Sequence, residues 1–320
     1  MRYDERDEES KNVEDRRGQG GGFGGMPGGI QIPMGGRGGM SLTSLLIIGA
    51  IMLLFGINPL EVLTGGGGGN FPNMPQMPRT ETSQRPSPGD NIPGLPGQAK
   101  SGAGQTDDEM GRFIKLVLRD TEKVWNQVFA SFGERYKEPQ LVIFERGTRT
   151  ACGMGMTQMG PFYCPLDQKI YIDLAFYEEL ARKFKAPGDF AQAYVVAHEV
   201  GHHVQTLLGI AEKVQGMKQR MSEREANALQ VRMELQADCL AGVWANLNHQ
   251  LHNRLEPGDI EEGLRAANAI GDDMIQKKMQ GYVVPDAFTH GSAAQRMRWF
   301  TTGYKSGQMQ SCDTFGTDDL

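Results

Sequence analysis

The stretch that decides the fold is YVVAHEVGHHVQ, Tyr194 to Gln205, which holds three of the chain's six histidines and a glutamate within six residues. On a helix, His198 and His202 stand four residues apart, so their rings lie one turn above the other on a single face. Two imidazoles so placed take adjacent corners of a zinc tetrahedron, and Glu199 reaches a water held there as general base. His203 points about 100° away from His202 and makes a poor ligand. The neighbours Val195, Val196, Ala197, Val200 and Gly201 are small or apolar, as suits a helix buried under a sheet. HExxH also occurs by chance in proteins without zinc, so a third ligand has to decide.

The extended pattern HExxHxxGxxH would need Gly at 205 and His at 208, where this chain has Gln205 and Leu208. That class is excluded. Further on, MELQADCLAG places Glu234 and Asp238 at i and i+4, flanked by Leu235, Ala237, Cys239, Leu240 and Ala241. Like charges at that spacing repel by a few tenths of a kcal/mol, roughly, and a buried carboxylate pair needs cationic partners. Glu234 as third metal ligand and Asp238 as acceptor for the ring N–H of a ligand histidine supply them. The competing reading is an acidic pair that is solvated or held by Arg232 or Arg296. In DAFTHGSAAQRMRWF, His290 is the candidate donor to the oxyanion of peptide hydrolysis, and Arg296 the candidate partner of Asp238 or Glu234. His249 and His252 are assigned no role, at what reads as a solvated helix end.

The rest of the chain bounds where this site sits. Of 43 glycines, 24 lie in residues 1–110, whereas all three tryptophans lie beyond them. The expectation is a disordered, charged and Gly-rich head over 1–40, a transmembrane helix over 41–63, a Gly/Pro-rich linker over 64–106 and one folded domain over 107–320. Between Arg37 and Glu61 run 23 uncharged residues, densest at LLIIGAIMLLFGI, enough for one bilayer crossing. Arg2, Arg6, Lys11, Arg16, Arg17 and Arg37 precede this run and no basic residue follows it until Arg79, which predicts a cytoplasmic N-terminus and an extracytoplasmic domain. The four cysteines form no CxxC pair; a short, turn-rich connection favours Cys152 with Cys164, leaving Cys239 with Cys312, against four reduced buried thiols. The net charge of -6 and the lack of a long basic run argue against a nucleic-acid partner.

Within the domain, Phe113, Val117, Val124 and Val128 repeat at helical spacing toward Phe132, and QLVIFERG and KIYID read as strands. Helices are predicted over 176–186 and 189–208, then from a capping box at Ser222 and Glu225 to about Asn246, with a last helix from about Pro257 to Ile260 onward. This is an α+β layout with a mostly helical second half.

HEVGHH, the Glu234/Asp238 pair, GPFYCP (Gly160 to Pro165), IYID (Ile170 to Asp173), HGSAAQRMRWF (His290 to Phe300) and the terminal CDTF together resemble the bacterial YpfJ-type neutral zinc metallopeptidases, over essentially the whole chain. The resemblance implies a zincin-like domain, a small antiparallel sheet packed on the active-site helix, anchored by one span in the lipid bilayer. It implies one zinc per chain on His198, His202 and Glu234, and a protein or peptide substrate. In zincins a strand edge lies along the cleft, and KIYID, nearest in sequence to the motif, is the candidate for that edge, with an internal strand as the alternative. The alternative function is a zinc-stapled adaptor that cuts nothing. The retained Glu199 favours the enzyme, because a structural site closes with a fourth protein ligand and has no use for a base.

Overall fold

The computed structural model describes residues 1–18 and 103–320; the expected transmembrane helix and residues 64–102 of the expected linker lie outside the described residues, while residues 103–106, expected in the linker, already belong to the first helix. The order is β1 (Val13–Asp15), α1 (Ala103–Ser131), β2 (Gln140–Phe144), β3 (Gly147–Thr150), β4 (Gly153–Met156), β5 (Phe162–Cys164), β6 (Lys169–Asp173), α2 (Ala175–Arg182), α3 (Asp189–Leu207), α4 (Ile210–Lys218), α5 (Glu223–His252), α6 (Asp259–Ala269), α7 (Asp272–Gln280) and α8 (Ala293–Ser306). The α+β class and the helical second half are as expected. Where one last helix was predicted there are three, because the chain turns at Gly271 and again through the loop after Gly281.

The main sheet has the order β1-β2-β6-β5, with β3 and β4 forming a separate antiparallel hairpin. The antiparallel expectation holds for that hairpin and for β5 against β6, but β1, β2 and β6 run parallel, which makes the four-stranded sheet mixed. Alternation does the sorting. Leu141, Ile143, Ile170 and Ile172 join the main core under the helices, while Val142, Phe144, Tyr171 and Cys164 form a smaller cluster on the other face with Phe162 against it. β6 is paired on both sides, so the expectation that KIYID is an edge is corrected: the edge strands are β1 and β5.

The helices pack where side chains are smallest. A Cβ on Gly201 of α3 would stand 3.0 Å from the Ala237 carbonyl of α5, so the two helices that carry the candidate ligands touch backbone to backbone. On the opposite side of α5, a Cβ on Gly303 would fall 1.9 Å from the Cys239 carbonyl, which seats α8 just as closely. Both disulfides are present as expected. Cys152–Cys164 ties the β3–β4 turn to β5, and Cys239–Cys312 ties α5 to the C-terminal turn. α5 begins with the predicted Ser222/Glu225 capping box and runs to His252, beyond the expected end near Asn246, closing on Asn253 in the left-handed region. Phe132 lies past the end of α1 and is exposed, so the apolar stripe of that helix ends sooner than the sequence suggests.

The expectation of a disordered head over 1–40 is corrected for residues 1–18, the part of it that is described. β1 pairs in parallel with β2, Val13 opposite Leu141. The Arg254 guanidinium, beyond the end of α5, binds Asp7 at 2.7 Å and the buried Asp120 of α1 at 2.9 Å, and stacks over the Tyr3 ring. Ser10 and Asn12 donate to the buried Glu122, and the Met1 amine reaches Asp189 and Asp259. The segment looked disordered because it carries little apolar surface. It is held instead by strand pairing and by charges that only the folded domain places opposite it. Arg254→Ala leaves Asp7 and Asp120 without this partner, and a loss of about 3–5 kcal/mol is expected in chemical denaturation. A change under about 1 kcal/mol would show that the N-terminal contacts add little.

Candidate metal centre

α3 and α5 cross at Gly201, which puts the inward faces of both helices against one point. His198 and His202, one turn apart, hold their rings 4.8 Å from centroid to centroid and nearly perpendicular. Glu234 Oε2 lies 3.2 Å from His198 Nε2 and 3.3 Å from His202 Nε2. One ligand atom from each of these three residues lies within 4.8 Å of the others, and all three side chains are largely shielded from solvent.

What fixes the ring nitrogens is on their far sides. His198 Nδ1 meets Asp238 Oδ1 at 2.8 Å, and His202 Nδ1 meets Gln205 Oε1 at 2.9 Å. Both outer partners are acceptors, so each Nδ1 carries its proton outward and each Nε2 presents its lone pair inward. Two imidazole nitrogens and a carboxylate oxygen then converge as acceptors, a set that a cation satisfies and that suits zinc in its N and O donors. Among the described residues this group has three members and no fourth protein ligand. The residues therefore fit a zinc site with an open position.

The site draws positive charge by construction. Where no metal competes, a proton takes the cation's place: burial pulls the His202 ring down, but the charge and hydrogen bond of Glu234 outweigh it and push its pKa up to about 9. Burial likewise opposes ionisation of Glu234, yet His202 and His198 hold its carboxyl well below the usual range. Asp238 is fully buried and also ionised: burial would raise it, but the Arg296 charge, followed by His198, holds it at about 2. Arg296 grips Asp238 with both arms of its guanidinium, Nε to Oδ2 at 2.8 Å and Nη2 to Oδ1 at 2.9 Å, and also donates to Tyr194 Oη. Tyr194 in turn donates to Asp238 Oδ1 at 2.5 Å. Of the two partners considered for the acidic pair, Arg296 binds Asp238, whereas Arg232 donates to the carbonyls of Thr314 and Thr317.

Glu199 is buried beside these groups, and burial raises its pKa against the lowering charges of His198 and His202. His290 comes from the loop before α8 and is half exposed. The Asp272 Oδ2 carboxylate oxygen accepts from the backbone N–H groups of Thr289, His290 and Gly291, and Oδ1 faces His290 Nδ1 at 3.2 Å. Burial lowers the His290 pKa, but Asp272 and then Glu234 raise it overall, so the ring lies within reach of the site's charge. His203 is outside the centre: it is buried, its Nε2 donates to the Lys137 carbonyl at 2.6 Å, and its Nδ1 accepts from Tyr163. Burial pushes it down to about 4, which keeps it a neutral peg between α3 and β5. His249, in the last turn of α5, accepts from the Leu255 N–H.

A family model described as "Putative neutral zinc metallopeptidase" matches residues 1–315. The chain belongs to that family. It is 44% identical to the uncharacterized protein YpfJ of Escherichia coli over 308 residues, 96% of each chain. It is 37% identical to the uncharacterized protein Rv2575 of Mycobacterium tuberculosis over 278 residues, 84% of this chain and 86% of that one. No solved structure matches it. Membership in a family described as a zinc metallopeptidase accords with a converging set of two imidazole nitrogens and a carboxylate oxygen.

Three supporting residues were not singled out from the sequence. Gln205 entered only as the failure of a longer motif, although its place three residues after His202 puts it on the same helix face. Tyr194, four residues before His198, carries the same signal. Asp272 had none, since it lies on a different helix from the loop it organises. Gln205→Leu is expected to fold and to bind zinc roughly 10–100-fold more weakly in chelator competition. Unchanged affinity would mean that the His202 ring needs no such support.

Proposed function

We propose that the protein is a membrane-attached zinc endopeptidase in which Glu199 is the general base. The observation that carries this reading is the inward convergence of His198 Nε2, His202 Nε2 and Glu234 Oε2, with Glu199 buried alongside and a coordination position left open. Zinc, when bound by these three residues, supplies Lewis acidity and lowers the pKa of water to about 7. Glu199 takes the proton of the attacking water and passes it to the leaving amine, the work of a carboxylate whose pKa burial has raised. His290, favoured in its cationic form by Asp272, keeps one ring N–H turned to Asp272 and offers the other to the developing oxyanion. Asp238, Arg296 and Tyr194 hold the His198 ring, and Gln205 holds that of His202.

An extended peptide would add to the open edge of β5, one of the two strands of the main sheet that are paired on one side only and the one that neighbours β6. The apolar run from Leu45 to Ile57 supports attachment to a membrane, and the two disulfides support an oxidising compartment for the domain.

Glu199→Gln is expected to keep zinc at the wild-type level while cleavage of a peptide library falls roughly a hundred- to ten-thousandfold. Glu234→Ala should lose the metal. Full zinc in Glu234→Ala would remove the third ligand, and equal cleavage by wild type and Glu199→Gln would assign the activity to another site or leave this domain a non-catalytic adaptor. His290→Ala and Asp272→Asn should lower kcat while KM changes little, His290→Ala by roughly a hundred- to a thousandfold. An effect confined to KM would make His290 a substrate-binding group only.

A further inference from the structure

The first eighteen residues are attached to the domain along their whole length. Met1 reaches α3 and α6 through Asp189 and Asp259, Asp7 is clamped by Arg254, Ser10 and Asn12 bind Glu122 of α1, and β1 completes the main sheet against β2. The chain also leaves the domain close to where it returns. A Cβ on Gly111 would stand 3.4 Å from the Arg17 guanidinium. At a rise of 1.5 Å per residue, the start of α1 at Ala103 is then only about 12 Å further along that helix.

Two segments of one sheet cannot have a bilayer between them. Paired strands lie about 4.8 Å apart, whereas a hydrocarbon core is about 30 Å thick. One crossing anywhere in residues 19–102 would put β1 and β2 on opposite faces. Two helical crossings need about 40 apolar residues, and the run between Arg37 and Glu61 has 23 uncharged ones. Four of the six basic residues that predicted the orientation also have another use: Arg2 pairs with Glu256, Arg6 with Asp4, Arg16 with Glu14 and Arg17 with Asp15.

We propose that residues 1–18 and 103–320 stand on the same side of the membrane, and that the apolar run attaches the domain from that side alone. This replaces the expectation of a single span with its two flanks on opposite faces. It does not depend on the peptidase reading.

Glu5 and Asp318 are exposed, one in each part, and serve as labelling sites. Glu5→Cys and Asp318→Cys, made singly in the full chain in bacterial cells, are treated as spheroplasts with a membrane-impermeant maleimide before and after lysis. Detergent-solubilised protein shows that each thiol reacts, and a melting temperature near that of the wild type shows that each variant folds. Arg6→Cys with Lys305→Cys provides a second exposed pair should either fail. The expected result is equal behaviour within a pair, both positions labelled before lysis or both only after it. One position labelled before lysis and the other only after it would overturn the proposal.

Discussion

The contact between α3 and α5 at Gly201 and Ala237 sets the distance on which the rest of the site depends. A metal triad needs its donor atoms a few ångströms apart, and side chains from two helices meet that condition only when the backbones nearly touch. Gly201, inside the motif itself, permits the approach because it has no Cβ to keep the Ala237 carbonyl away. His198 and His202 then face Glu234 across the gap, and Asp238, one turn beyond Glu234, meets the outer nitrogen of His198. A single spacing on each helix therefore supplies a donor set and its support together.

That arrangement buries several charges, and their pairing explains the packing on the far side of α5. An unpaired Asp238 carboxylate in this core would be very costly, and Arg296 neutralises it through two hydrogen bonds. Arg296 is delivered by α8, whose approach to α5 requires Gly303 against the Cys239 backbone. Cys239 is in turn bonded to Cys312, and the carbonyl of Cys312 accepts from Gln236, which accepts from Gln205. The ring of His202 is thus connected through two amide side chains to the C-terminal turn. Stability and site geometry share these contacts, since each partner that neutralises a buried charge also orients a candidate ligand.

The central part of the site was legible in the sequence because helical spacing is a local property. His198 with His202 and Glu234 with Asp238 are i, i+4 pairs, and each pair faces one way whatever else the chain does. Arg296 was readable as the cation that a buried acidic pair demands, and both disulfides followed from a short, easily closed loop and elimination. What the sequence did not show depends on pairing between distant segments. Sheet order is one case: KIYID is the strand nearest in sequence to the motif helix, yet β2 and β5 on either side make it internal. The packing of residues 1–18 is another, because their partners Arg254, Asp120 and Asp189 lie more than a hundred residues away. Asp272 belongs with them, holding a loop from a neighbouring helix.

The central claim is that three side chains form a zinc site with an open position, and metal-edge X-ray absorption on the zinc-loaded full chain tests it most directly. The account predicts two imidazole nitrogens and one carboxylate oxygen at about 2.0–2.2 Å, with the remaining contact a light atom that exogenous ligands displace. A sulfur at about 2.3 Å, or a fourth protein ligand that no added ligand displaces, would contradict it.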